Sequence, residues 1–243
     1  MKIIIPQSIC KYKRKIQHLG FARYCPVCNS WVRGFGVHGS KNRHDAQCPV
    51  CKTLERHRFL WQFIKKHTTL LDKSPKKLLH FAPEPAFVSK FQKISGLDYI
   101  TADLYDPKAM LKMDITKIEC PDESIDWFYC SHVLEHIEDD AKAISEVHRV
   151  LKKKGHAIIL VPIMAEKTFE DPSVTDPVER ERLFGQHDHV RLYGPDFKDR
   201  LVAGGFEVSD YYIENLFSEK QIERLGLKYI PSKHMPIYLC EKS

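Results

Sequence analysis

The chain has no run of apolar residues near the roughly 18 that a membrane-spanning helix needs, no low-complexity tract and no internal repeat. Those absences exclude a helical membrane protein, a disordered linker protein and a solenoid, and no membrane partner is expected. The G-x-G-x-x-G fingerprint that cradles a pyrophosphate is missing too, which argues against a nicotinamide dehydrogenase. Glycine is scarce, with 11 residues in 243 against 14 prolines. Met1 to Pro6 offers three consecutive isoleucines before a proline, too short for a signal-peptide core. Neither sign of charge is lacking. The formal charge of +6 permits a nucleic acid or an anionic partner without arguing for either. The basic run Lys11, Lys13, Arg14 and Lys15 reads as a solvated segment.

What the chain does have is a pair of Cys-Pro-Val-Cys knuckles, Cys25/Cys28 and Cys48/Cys51, with nineteen residues between them. A Cys-x-x-Cys pair lets two thiolates converge on one ion, and two such pairs complete the tetrahedral sulfur shell that zinc prefers. The expectation is a structural zinc ribbon, closed by four ligands and therefore not catalytic. Zinc-bound thiolates need a reducing setting, so a cytoplasmic location is expected. Cys10, Cys120, Cys130 and Cys240 lie apart from one another and read as core or incidental thiols.

A polar connector over Lys73–Lys77 divides the chain into residues 1–72, holding the ribbon and an amphipathic helix, and a domain over 73–243. Leu54, Phe59, Trp61, Phe63 and Ile64 are the apolar residues of that helix. Glu55 to Arg58 lead into it, to cap the ribbon, to bridge to the next domain or to form a solvated face. Beyond the connector, strands are expected at 77–82, 98–104, 110–115, 125–131 and 156–161. Helices are expected at 86–94, from Asp139 to a stop at Lys152, Lys153, Lys154 and Gly155, and at 195–203. Two final strands, 206–213 and 236–240, read as a hairpin-like antiparallel edge. The alternation predicts a doubly wound, Rossmann-like α/β sheet.

Ligands in such sheets bind beyond the carboxyl ends of the strands, where strand order reverses. The first strand ends at His80-Phe81-Ala82-Pro-Glu84. The second ends at Asp103 and Leu104, where a carboxylate can take both hydroxyls of a ribose. The third ends at Asp114 and Ile115, suited to an adenine amine, and the fourth at Ser131 and His132.

Asp103, the Met113-Asp-Ile115 segment, Ser124-Ile-Asp-Trp-Phe-Tyr-Cys-Ser-His-Val-Leu-Glu-His-Ile137 and Arg149-Val-Leu-Lys-Lys-Lys-Gly155 carry a resemblance over about 77–240. The sequence resembles the class I S-adenosylmethionine-dependent methyltransferases, especially the type 11 branch. With Cys51-Lys-Thr-Leu-Glu-Arg-His-Arg58, the front looks like a bacterial subgroup with a ribbon ahead of the methyltransferase domain. The resemblance implies that Asp103 holds the ribose of S-adenosylmethionine and that Asp114 with Ile115 frames its adenine. Ser131 and His132 would line the methyl-transfer channel, and Glu135 and His136 would matter for the fourth-strand helix. One departure stands out. The family's first loop is rich in glycine, whereas here it has none and carries two prolines, and Glu84 is expected to meet the methionine ammonium instead.

The long connection after the fifth strand holds Phe184-Gly-Gln-His-Asp-His-Val-Arg-Leu-Tyr-Gly194. His187 or His189 is expected as general base, with Asp188 orienting it, and Arg191 and Tyr193 are expected to meet the acceptor. The alternatives are a metal held by His187, His189 and nearby acids, or a loop pinned to the core by Asp188 and Arg191. The acceptor is expected to be a small or carbohydrate-like molecule. The alternatives are an RNA guided by the ribbon, or a non-catalytic interaction protein on a degenerate methyltransferase fold.

Overall fold

The structure is a computed structural model that describes residues 7–39, 42–228 and 235–243, with side chains from residue 10 onward. Met1 to Pro6 lies outside the described residues. The chain forms two compact units, one of residues 1–71 with 213–232 and one of residues 72–212 with 233–243. Residues 213–228 group with the first unit, whereas the expected division into 1–72 and 73–243 assigns them to the second.

In the first unit, α1 (Gln7–Gln17) carries the basic run, with Lys11, Lys13 and Arg14 exposed on it. β1 (Leu19–Cys25) pairs antiparallel with β2 (Ser30–Val32), and β3 (Gly36–His38) with β4 (Arg43–Gln47). One cysteine knuckle turns between β1 and β2, and the other follows β4. Each is succeeded by a residue in the left-handed region, Asn29 (φ 52°) and Lys52 (φ 64°), so the two knuckles repeat one backbone device.

α2 (Glu55–His67) then packs Phe59, Leu60, Phe63 and Ile64 into this unit's core. Arg58, fully buried, donates to the carbonyls of Ala46 (2.8 Å), Thr53 (3.1 Å), Leu225 (2.6 Å) and Gly226 (2.8 Å), and its guanidinium lies 3.9 Å from the centre of the Phe35 ring. A buried guanidinium is tolerated when its donors are spent this way. Within the Glu55–Arg58 tetrad, Arg58 ties α2 to the backbone on either side of the second cysteine knuckle and to residues 225–226. Gly226 sits at φ +62°, and a Cβ there would stand 2.5 Å from Phe35, so only glycine fits under the arginine.

The second unit is a seven-stranded sheet. β5 (Lys76–Phe81) leads to α3 (Pro85–Phe91), then come β6 (Leu97–Asp103), β7 (Leu111–Lys112) and β8 (Ile125–Ser131). α4 (Asp140–Val150) and β9 (Leu151–Leu160) follow. A long excursion contains β10 (Phe169–Glu170), α5 (Pro177–Phe184) and β11 (Arg191–Leu192). α6 (Phe197–Ala203), β12 (Phe206–Tyr211) and β13 (Ile237–Lys242) complete it. The order is β12-β13-β9-β8-β5-β6-β7, with the five strands from β9 to β7 parallel and β13 running against both its neighbours, β9 and β12. The expected doubly wound, Rossmann-like sheet is present. Strand order reverses at β5, between β6 and β8, which places the ligand crevice at their carboxyl ends.

Three local readings need correction. Lys152 to Gly155 do not stop a helix. α4 ends at Val150 and the chain is extended from Leu151, so the lysines lie on the bulged first half of β9. There Lys152 meets Asp126 on β8 at 2.8 Å and Lys154 meets Glu241 on β13 at 3.2 Å, so acids across the ladder place these cations. The third strand shrinks to Leu111–Lys112, because Asp114 folds a turn by accepting from the Thr116 amide at 2.8 Å. β12 and β13 pair antiparallel as an edge, but residues 213–232 separate them in sequence, so they are no hairpin.

Candidate functional site

Beyond β5, β6 and β8 lies a cleft of about 360 Å3. That volume is within the range of about 300–1,000 Å3 usual for small-molecule sites. Phe81 and Ala82 line it from the end of β5, Asp103, Leu104 and Tyr105 from β6, and Met113, Asp114 and Ile115 from the turn after β7. His132, Val133, His136 and Ile137 come from beyond β8, and Asp188 from the loop before β11.

Two strand ends turn abruptly at this crevice. Ala82 takes φ 49° and His132 φ 56°, a region costly for residues with a side chain. Each turn is anchored to the next strand, Ala82 N–H to the Ala102 carbonyl and His132 N–H to the Leu160 carbonyl, both at 2.9 Å. Ala82 thus makes the left-handed turn that a glycine would make, with the smallest side chain that is not glycine.

The nucleoside half of S-adenosylmethionine fits this lining. Asp103 accepts from the amides of Tyr105 (2.6 Å) and Asp106 (2.7 Å), both through Oδ1, and Asp114 accepts from Thr116 through Oδ1 as well. One oxygen of each carboxylate is fixed, which aims the other, Oδ2. Phe81, Leu104, Met113, Ile115, Val133 and Ile137 supply apolar walls for a purine.

Several expected contacts are not in the lining. His80 is fully buried below it, with Nδ1 2.9 Å from the Tyr99 hydroxyl and Nε2 accepting from the Glu84 amide at 3.4 Å. Burial pushes its pKa down to about 3. Glu84 accepts from the buried Tyr129 hydroxyl and is not among the residues that line the cleft. Ser131 is buried in β8 behind the wall.

The acceptor-side residues also separate. His187 is exposed and is not among the residues that line the cleft. Arg191 is only 4% exposed, pairs with Glu170 at 2.7 Å, and donates to the carbonyls of Leu134 (3.1 Å), Ile137 and Glu138 (2.9 Å). The Tyr193 hydroxyl donates to Asp140 at 2.6 Å. These two residues pin the excursion to the turn after β8 and are not among the residues that line the cleft. Asp188 does not orient His187 or His189. Its carboxylate and carbonyl lie 3.2 and 3.3 Å from Nδ1 of His136, a cleft residue for which the resemblance implies a part in the fourth-strand helix.

A compact polar cluster results. His132 Nδ1 faces Glu135 Oε1 at 3.1 Å, and the His136 and His189 rings meet edge to face with centroids 4.7 Å apart. His189, whose pKa burial lowers, donates Nδ1–H to the Phe184 carbonyl at 3.1 Å. The spacing of His132, Glu135 and His136 is visible in the sequence, but the loop that returns His189 and Asp188 to them is not.

In the first unit, Sγ of Cys25 and Cys51 are 3.6 Å apart and those of Cys28 and Cys48 3.8 Å. A tetrahedron of zinc–sulfur bonds of about 2.3 Å has edges of about 3.8 Å, whereas a disulfide would bring sulfurs to about 2.05 Å. The four thiols are free and packed to suit an ion.

Residues 63–159 match a protein family described as a methyltransferase domain. Among solved structures, the chain is similar to an S-adenosylmethionine-dependent methyltransferase of Mesorhizobium loti (14% identity, 75% of this chain and 97% of that one, TM-score 0.54). It is similar as well to one of Archaeoglobus fulgidus (16% identity, 76% and 94%, TM-score 0.51). A third is phosphoethanolamine N-methyltransferase 2 of Haemonchus contortus, solved with phosphomonomethylethanolamine and S-adenosylhomocysteine (16% identity, 79% of this chain, TM-score 0.51). This chain spans about half, 53%, of that protein. At such identities the likeness is one of fold. No curated protein matches the sequence.

Proposed function

We propose that this S-adenosylmethionine-dependent methyltransferase moves its methyl group onto a small polar acceptor that enters beside His136 and Asp188. The observation that carries the reading is the cleft itself, where Asp103, Asp114 and an apolar slot converge at the strand-order reversal. When bound, the cofactor supplies a methyl group on a positively charged sulfur.

Asp103 accepts the ribose hydroxyls, and Asp114 accepts from the adenine amine beside Ile115. Phe81, Leu104 and Met113 close around the purine and exclude water. Ala82 and His132 border the methionine side, where their tight turns bring backbone close to the ligand. Asp188 holds the proton of His136 on Nδ1, which leaves a lone pair on Nε2 for the acceptor side. A cleft of this volume suits a small acceptor, in keeping with the small phosphorylated amine in the Haemonchus structure. The four cysteines hold a structural zinc ion that organises the first unit and takes no part in the transfer.

Calorimetric titration of the purified protein with S-adenosylmethionine tests this reading. One binding site per chain is expected. A folded protein that gives no heat and no thermal stabilisation defeats it.

A further inference from the structure

We propose that Glu135, His136 and His189 form a second metal site, for a borderline divalent first-row cation, at the acceptor end of the cleft. One ligand atom from each lies within 4.8 Å of the other two. Two imidazoles and one carboxylate form a donor set that such cations take while keeping coordination positions open.

The chemical argument rests on an excess of lone pairs. The Phe184 carbonyl can only accept, so His189 carries its proton on Nδ1 and turns a lone pair outward on Nε2. Both groups of Asp188 facing His136 Nδ1 are acceptors, so His136 likewise keeps its lone pair on Nε2. Glu135 spends Oε1 on His132. Among the described residues, Glu135 Oε2, His189 Nε2 and His132 Nε2 are buried atoms with no hydrogen-bond partner, the first two in residues 1% and 5% exposed. With Nδ1–H of His132 given to Glu135 Oε1, its Nε2 carries a lone pair too, and buried lone pairs of this kind describe a place for an electron-pair acceptor.

Metal-ligating histidines characteristically hand their other N–H to a carboxylate or a backbone carbonyl, and His136 and His189 each do so here. His136 belongs to the cleft lining, so an ion held there would present its open positions to an acceptor oxygen or amine. That role rests on the methyltransferase reading. Binding of the ion does not.

The test is cobalt uptake by the intact, reduced protein in the absence of cofactor. With the four-sulfur site filled by zinc, wild type should take one further Co2+ per chain. Its visible d–d absorption should appear without a thiolate-to-cobalt charge-transfer band. Glu135→Gln and His189→Gln should each weaken that equivalent more than about 100-fold, and Asp188→Asn about 10–100-fold, while His187→Ala leaves it unchanged. No second equivalent in wild type, a thiolate spectrum, or uptake indifferent to both ligand variants overturns the proposal. Because wild type alone can give the first two results, a variant that fails to fold does not shelter it. Normal binding of S-adenosylhomocysteine with no second cobalt would defeat the metal site and spare the cofactor cleft.

Discussion

His136 and Asp188, 52 residues apart in sequence, meet at 3.2 Å between imidazole Nδ1 and carboxylate Oδ2 at the rim of the cleft. The contact fixes the ring and its proton. It also transfers the orienting role of Asp188 from its neighbours in sequence to a residue on another element.

Methyl transfer should therefore fall about 10–100-fold in Asp188→Asn, which keeps the shape but loses the charge that orders the imidazole. His187→Ala should match wild type. Initial rates with a labelled methyl group measure both, and equal losses would place the working histidine in the loop itself.

The reduced protein should contain one zinc per chain in the first unit, and stripping it with a chelator should unfold that unit. Structural zinc in small modules contributes on the order of 10–16 kcal/mol to folding. Trp31 and Trp61 belong to this unit and Trp127 to the other, so tryptophan emission should change in part. Cys48→Ser should lower zinc content likewise. A reduced protein with neither zinc nor affinity for it would contradict the ribbon.

Arg191 should behave as a structural residue. Replacing it with methionine removes the side-chain donors of the Ile137 and Glu138 carbonyls, while Asp140 and Glu170 keep Arg200, a loss of about 1–3 kcal/mol for buried acceptors left unpaired. Urea unfolding reads the change directly. Wild-type stability together with a raised KM for the acceptor would return Arg191 to the substrate-contacting role expected from the sequence.

His80 should make the protein acid-sensitive. Its folded pKa of about 3 is below the ordinary value of 6.5, so the folded ring stays neutral while the unfolded chain takes up a proton. The contribution is complete above pH 6.5 and is lost as pH falls from 6.5 toward 3, at up to ~1.4 kcal/mol per pH unit. His80→Gln should flatten the urea midpoint across that window. Identical pH profiles for the two proteins would contradict it.

The sheet was legible because its strands are short apolar runs that stop at polar ends, and the knuckles were legible because their spacing matches a metal's geometry. Other features were not. Cations followed by glycine read equally as a helix stop or as the start of a bulged strand, and only the partners Asp126 and Glu241 decide for β9. Residues 213–228 carry no change in composition that announces their return to the first unit, where Gly226 and Leu225 meet Arg58. The turn at Ala82 was hidden because alanine seldom adopts a positive φ. The loop has no glycine and two prolines, and the left-handed turn falls on Ala82, between the strand and the first of them. Asp103 and Asp114 could be picked out one at a time, but the His136–Asp188 and His132–Glu135 pairs depend on how the loops return.

The most direct test of the cofactor cleft is a crystal structure of the full chain soaked with S-adenosylhomocysteine, read beside the affinity of Asp103→Ala for the same ligand. The nucleoside should lie between Leu104 and Ile115 with its ribose on Asp103 Oδ2 and its sulfur beside Ala82 and His132. The variant should bind about 10–100-fold more weakly, as expected for losing a charged hydrogen bond of about 1.5–3 kcal/mol. A nucleoside seated elsewhere, or full affinity without Asp103, would contradict the account.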